Sequence, residues 1–500
     1  MSVRARARIA APSSIAALFV LLTWAAGPVL AGPLQDDLKA RRARLLEQLT
    51  PQSLAIVWSA PPRVYSLDVD YEYRQDSNLL YLTGINQPGT TLVLMPGNKT
   101  HQEILFVSEP NPTREHREGH ILTKVEASAA SGIPDVYYAG QFEPFLASMF
   151  GRASFGSPRG TGTEEYETFF AAVAAGRASL ALPLGPPPQP SAPLSAAYEF
   201  ANKARERYFG VAVTDTWPLI ANLRQVKTPY ELAVLDQSAA ISSDAHLAGM
   251  RAARPGRYEY EVEAEIEHTF LSRGAMSWGY PSIVGSGPNA TILHYEASSR
   301  QMQDGDLLLV DAAANFQGLT VDITRTYPVN GRFTEAQKDI YRVVLAAQEA
   351  GMRAAKAGNK LADIQTAAAD AAKAGLLKLG LITDASGEQF RTWYTHSVIH
   401  WIGMDVHDVG DYGRTLAPGM TFVIEPGLYI RQQALDILPD TPENRAFKTA
   451  VAPAVAKYKD IGVRVEDSFA LTATGLKTLS AKVPKSIEDV ERTLAQPGTR

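Results

Sequence analysis

Four carboxylates and one imidazole, Asp311, Asp322, His400, Glu425 and Glu466, are the side chains of this sequence most suited to chemistry. The stretch 305–328, GDLLLVDAAANFQGLTVDITRTYP, runs four apolar residues into Asp311, breaks at 315–318 and resumes as a β-rich run carrying Asp322. This is a hairpin pattern. With its turn centred between Phe316 and Gln317, Asp311 stands directly opposite Asp322, with Cβ atoms roughly 4.5–5.5 Å apart. Two carboxylates that close cannot both ionise cheaply, and a metal pair about 3.5–4 Å apart suits the gap. Solvated strand ends explain the hairpin alone equally well.

The remaining candidates lie further along the chain. THSVIHWIGMDVHD holds His396, His400 and His407, ILHYE holds His294, and MTFVIEPGLYI ends its apolar run at Glu425. In IGVRVEDSFAL, Val463 and Val465 face one way, Arg464 and Glu466 the other. Alone, Arg464 and Glu466 read as the wet face of an edge strand, and a lone histidine as structural. Together the five make a set of hard oxygen donors with one nitrogen, which suits Mn²⁺, Co²⁺ or Zn²⁺. Two such ions acidify a bound water and polarise a carbonyl, the equipment for amide hydrolysis.

Holding these side chains takes several strands and the helices that cover them. Residues 36–49, Pro229 to Ala253, Tyr258 to Gly274 and Leu361 to Leu379 read as helices, and Thr334 with Gln337 as a capping box opening another. Leu54 to Trp58 and Thr91 to Met95 read as strands, flanking the Tyr- and acid-rich Asp68 to Gly84. The proline-rich 182–193 can be neither helix nor central strand. It reads as a loop inside the first domain rather than a linker, because a helix (Ser195 to Tyr208) and a strand (Val211 to Thr214) follow; the boundary falls near Trp217. Gln432 to Lys459 reads as a loop at the site mouth. The whole is an α+β protein with its chemistry in the second half.

Bulk properties narrow the classes. A length of 500 residues suits two domains, and a formal net charge of -5 offers no electrostatic footprint for nucleic acid. Zero cysteines exclude disulfides, thiolate ligands and a cysteine nucleophile. Arg4, Arg6 and Arg8, an apolar Ile15 to Trp24 and the small-residue end Val29-Leu30-Ala31 form a cleavable signal peptide, so a periplasmic or extracellular protein without a membrane anchor is expected. The expected division is a signal peptide (1–31), an amino-terminal domain (32–216), a catalytic domain (217–485) and a tail (486–500).

VDAAANFQGLTVDITRTYPVNG, HSVIHWIGMDVHDVG, IEPGLYI and GVRVED resemble, in order and spacing, the metal-site motifs of the pita-bread metallopeptidases, the methionine aminopeptidase and proline-peptidase superfamily. DVDYEYRQDSNLLYLTG is similar to the amino-terminal domain of Xaa-Pro aminopeptidases and prolidases, so the likeness spans nearly the whole mature chain. It implies a pita-bread catalytic domain behind a smaller α/β domain, and two divalent metal ions, Mn²⁺ ahead of Zn²⁺ or Co²⁺. By the same resemblance Asp311 binds one ion, Asp322 and Glu466 bridge both, and His400 and Glu425 complete the second site. Glu425 also takes a proton from the attacking water, His294 and His407 donate to the tetrahedral intermediate, and His396, Tyr429 and Arg464 lie near the proline pocket or behind the ligands. The implied activity is release of the first residue from peptides with proline second, by a dimer or tetramer. A prolidase restricted to dipeptides is the alternative, and a metal-free pita-bread binding protein a more distant one. Ser397 and Ala313 depart from the glycines the family often has there, and neither is a ligand.

Overall fold

The computed structural model describes residues 32–156 and 163–496, so the signal-peptide segment 1–31 lies outside the described residues. After helix α1 (Pro33–Leu46), the amino-terminal half is built on a six-stranded sheet of β1 (Ser53–Trp58), β2 (Thr91–Leu94), β3 (Glu103–Val107), β4 (Asp135–Tyr138), β5 (Ser179–Leu182) and β6 (Ala212–Asp215), ordered β4-β3-β2-β1-β5-β6. Period-two alternation gives the central strands two apolar faces. In β1, Leu54 and Ile56 enter one core, Ala55 and Val57 the other. The proline-rich segment lies between β5 and helix α3, once α2 (Ser77–Thr83) and α3 (Ala196–Arg207) are counted in order, and β6 pairs parallel to β5 beyond it.

Helix α2 ties this half to the other. Asp76 caps it by accepting from the Asn78 and Leu79 N–H groups, and Gly84 ends it. Leu79, Tyr81 and Leu82 share one core with Ala313, Leu319, Val321, Ile323, Ile402 and Met404 of the carboxy-terminal half. Each fully buried leucine contributes about 1.5–3 kcal/mol, so the hairpin carrying the candidate aspartates rests on the amino-terminal domain.

The carboxy-terminal half follows α4 (Trp217–Gln225). It has two helix pairs, α5 (Pro229–Ala252) with α6 (Glu259–Ser272) and α7 (Glu335–Ala354) with α8 (Leu361–Lys378). Capping boxes start α5 at Thr228/Glu231 and α7 at Thr334/Gln337. The helices cover two antiparallel ladders. In the first, β7 (Ile283–Ser286), β8 (Leu307–Asp311), β9 (Ala314–Phe316), β10 (Leu319–Thr320) and β11 (Thr324–Pro328) form a broken hairpin with a flanking strand. In the second, β12 (Thr421–Ile424) and β13 (Gly427–Ile430) pair with β15 (Asp467–Thr472) and β14 (Ile461–Arg464) respectively.

Both ladders break where the candidate ligands lie, and a helix supplies the missing backbone partners. At the first break Ser238 of α5 donates to the Ala314 carbonyl, Ser242 accepts from the Ala314 N–H, and His246 Nε2 bonds the Ala312 carbonyl at 2.9 Å. At the second, Gln348 of α7 donates to the carbonyls of Ile424 and Val465, each at 3.2 Å. Buried backbone groups need such partners.

One expectation changes. Gln432 to Lys459 is not a loop: residues 432–436 are helical and α9 (Pro442–Tyr458) packs Phe447, Val451, Val455 and Tyr458 inward, with Tyr458 bonded to Asp339 of α7. Four apolar side chains at helical spacing outweigh the loop-like flanks. The tail contains α10 (Ile487–Leu494), which buries Val490 and Ile487. No described helix is long and apolar enough to cross a membrane.

Candidate active site

The first aspartate pair meets, in a different register from the expected one. Gln317 (φ +51°) and Gly318 (φ +83°) are the two left-handed residues of the turn, and Phe316 pairs with Leu319. A two-residue turn with positive φ at both central positions suits the strand twist. Asp311 therefore stands opposite Thr324, not Asp322. A shift of two residues keeps Asp322 on the same face, whereas a shift of one would have turned it away. Tyr280 spans the pair: its hydroxyl lies 2.7 Å from Asp311 Oδ1 and 2.5 Å from Asp322 Oδ1.

The second ladder supplies the glutamates. Ile424 pairs with Asp467 and Gly427 with Arg464. That unbroken register puts Glu425 opposite Glu466. Both Arg464 (2 % exposed) and Glu466 (1 %) are buried, so the edge-strand reading fails and each needs a partner. Arg464 Nη2 reaches Asp311 Oδ2 at 2.5 Å, Nη1 reaches the Tyr429 hydroxyl at 2.9 Å, and Nε reaches Thr324 Oγ1 at 3.0 Å. Thr324 in turn donates to Glu466 Oε2 at 2.7 Å. His396 Nδ1 faces its Ser397 carbonyl, so its Nε2 is placed to accept from Tyr429 at 2.8 Å. Gly427 makes that contact possible, because a Cβ there would lie 2.4 Å from the Tyr429 hydroxyl and 2.9 Å from His396 Nε2.

His400 Nε2 sits at the centre, 3.4 Å from Asp322 Oδ2, 3.4 Å from Glu425 Oε1 and 3.9 Å from Glu466 Oε1. These separations are wrong for hydrogen bonds and right for ligands. Two donors each about 2.1 Å from one ion at a tetrahedral angle lie about 3.4 Å apart. Asp322, His400 and Glu466 offer ligand atoms all within 4.8 Å of one another. Glu466 Oε1 is buried without any hydrogen-bond partner, a costly state unless a cation completes it. The residues present therefore fit divalent metal.

Electrostatics agree. Burial, then the Asp311 charge, holds the Asp322 carboxyl well above the usual range. Burial, then Glu466, does the same to Glu425, and burial, then Asp322, to Glu466. Burial also pushes Asp311 up, but the Arg464 guanidinium and the Tyr280 bond outweigh it and leave Asp311 low. His294 and His407 are exposed, with the His407 ring 4.3 Å from that of His400. His294 follows the short turn Gly287–Thr291 after β7.

This crowding has a measurable consequence. Without metal, the native chain keeps protons on carboxyls that the unfolded chain has lost above about pH 4. Stability contributed in this way is present at low pH and is lost as pH rises through the raised native values. His246, His396 and His407, all held down to about 4, act oppositely, but above about pH 7.5 they are neutral in both states. As pH rises from the ordinary carboxylate range through the raised native values, the unfolding temperature of the chelated protein should fall relative to that of the metal-loaded protein. A level profile for the chelated form would contradict the crowding.

Sequence reasoning missed Tyr280 and Thr324. Thr324 had a signal, since it lies two residues beyond Asp322 on the same face; Tyr280 had none.

Comparison with known proteins agrees with this geometry. Residues 233–473 match the profile described as Metallopeptidase family M24, and residues 38–155 that of the Aminopeptidase P, N-terminal domain. The chain is 34% identical over 468 residues to a protein of Escherichia coli (strain K12) named Xaa-Pro aminopeptidase, covering 91% of this chain and 97% of that one. It is 29% identical to the human Xaa-Pro aminopeptidase 3, over 94% and 88% of the two chains. Among solved structures, a putative aminopeptidase P from Bacillus anthracis superposes with a TM-score of 0.80 at 28% identity, covering 93% of this chain and 99% of the other. Escherichia coli aminopeptidase P, in a variant solved with substrate, gives 0.77 at 32% identity, with the same coverage. With its metal-fitting donors set in a pita-bread domain behind an aminopeptidase P amino-terminal domain, this chain belongs to metallopeptidase family M24 and is a metal-dependent exopeptidase.

Proposed function

We propose that this protein removes the first residue from peptides whose second residue is proline, using two divalent ions, manganese by preference. The convergence of Asp322, His400 and Glu466 on one point beside an orphaned Glu466 oxygen carries the metal part of the reading. The names of the relatives support the proline specificity. Asp311, Asp322, His400, Glu425 and Glu466 would hold the ions, with Asp322 and Glu466 shared between them. When bound, the ions supply acidification of water and polarisation of the carbonyl.

The chain's own groups do the rest. Glu425 Oε1 faces His400, which leaves Oε2 to take a proton from the attacking water and return it to the departing proline nitrogen. His294 and His407, open to the cleft, donate to the carbonyl oxygen as it gains charge. His396 lies beside Glu425, with Nδ1 3.5 Å from Oε2, where it can border the proline ring. Tyr429 and Arg464 have their hydrogen-bonding groups committed within the protein and act by orienting Asp311 and His396.

Residues 1–31 support export, with a mature chain beginning at Gly32 in the periplasm or outside the cell. The test uses that mature chain on Xaa-Pro-Yaa and Xaa-Pro peptides, with Mn²⁺, Zn²⁺ or chelator. Tripeptide cleavage that chelation abolishes is expected. Cleavage of the dipeptide alone would make the protein a prolidase, and inactivity on both would refute the reading. Recovery of the leader uncleaved on an internal protein would refute export.

A further inference from the structure

We propose that the amino-terminal domain takes part in catalysis through a buried ion network that fixes the position of His407. The inference rests on the reading of His407 as a donor to the reacting carbonyl.

His407 lies in a small closed loop. The Asp408 N–H donates to the Trp401 carbonyl at 2.9 Å, the Gly403 N–H to the Asp405 carbonyl at 3.1 Å, and the Thr320 N–H to the Gly403 carbonyl at 2.8 Å. Two acids of this loop, Asp405 and Asp408, bracket the histidine, and both are held from outside. Asp408 is buried; its Oδ1 accepts from Arg224 Nη2 at 2.5 Å and its Oδ2 from Lys227 Nζ at 2.8 Å. Asp405 Oδ2 shares the same Arg224 nitrogen at 2.7 Å, and its Oδ1 accepts from Arg74 at 2.6 Å and Ser77 at 3.0 Å. Arg224 Nη1 closes the circuit on Asn78 at 2.8 Å.

Arg74, Ser77 and Asn78 belong to the amino-terminal domain, at and just before α2, and Arg224 ends α4 between the two halves. Two buried cations, Arg224 and Lys227, balance two acids. The loop is drawn in so tightly that a Cβ on Gly403 would lie 2.1 Å from Asp408 Oδ2 and 2.6 Å from Lys227 Nζ. A buried ionic cluster is weak as a source of stability, since apolar packing does as well. Its geometry points to a positional role instead: Asp405 and Asp408 leave the His407 backbone no freedom, and the ring stays 4.3 Å from that of His400. Arg224, Lys227 and Asp408 are positioning residues in this account.

A double-mutant cycle separates this role from a structural one. Asp405→Asn and Arg74→Ala change partly exposed residues and leave Arg224 paired with Asp408, so the chain keeps its fold. In the manganese-loaded protein each should lower kcat by about tenfold, since small misplacements cost up to about 10²-fold, with bound metal and unfolding temperature unchanged. In a His407→Ala background the same substitutions should change kcat by less than about twofold. An equal loss in both backgrounds, or no loss in either, would overturn the inference. If His407→Ala alone left kcat unchanged, the functional reading of His407 would fall, and the inference with it.

Discussion

Asp322→Asn should lower kcat by about 10³-fold, the loss expected when several kcal/mol of charge stabilisation disappear. It should also raise the stability of the metal-free protein. The asparagine keeps the size of the side chain, and the Asp322 backbone stays fixed by its reciprocal bonds with Ser468 Oγ at 2.8 and 2.7 Å. What goes is one member of a buried cluster that includes Asp311, Glu425 and Glu466. Without metal this charge is a burden, so the unfolding temperature in chelator at about pH 8 should exceed that of the parent, a trade of stability for function. Metal content measured alongside should fall. A variant that turns over normally with full metal would contradict the shared-ligand role, and one destabilised in chelator would contradict the repulsion.

Arg464→Met should have the largest effect on folding. The guanidinium is 2 % exposed and bonds Asp311, Tyr429 and Thr324. Removing one partner of a buried pair costs about 3–5 kcal/mol, because the other charge stays buried and unpaired. In chelator this should appear as a fall of about 3–5 °C in unfolding temperature. Added metal should restore part of the loss, since a cation beside Asp311 replaces some of the missing charge. A shift of less than about 2 °C would show that Asp311 does not depend on Arg464.

Much of this was legible in the sequence where one local signal decided the matter. The periodicity predicts a helix over Pro229 to Ala253 and the helix runs Pro229–Ala252, where a threonine cap, a proline at the first position and a long apolar stripe agree. Thr334 with Gln337 opens α7 as its capping pattern requires. The alternation of 463–466 put Arg464 and Glu466 on one face, but whether that face was wet or buried depended on Asp311, Thr324 and Glu425, which are remote in sequence. The hairpin register was two residues off because Gln317, a residue without glycine's freedom, takes a left-handed conformation beside Gly318. Tyr280 escaped because its partners lie 31 and 42 residues away. The Arg224 network escaped for the same reason, joining residues from 74 to 408 that look unremarkable singly.

The most direct test of the two-ion account is titration of the metal-free mature protein with Mn²⁺, following cleavage of an Xaa-Pro-Yaa peptide and counting bound metal. Activity should be absent before addition and reach its plateau as the second equivalent per chain binds. Full activity in chelator, or a plateau at one equivalent, would contradict the claim that Asp322 and Glu466 hold two ions between them.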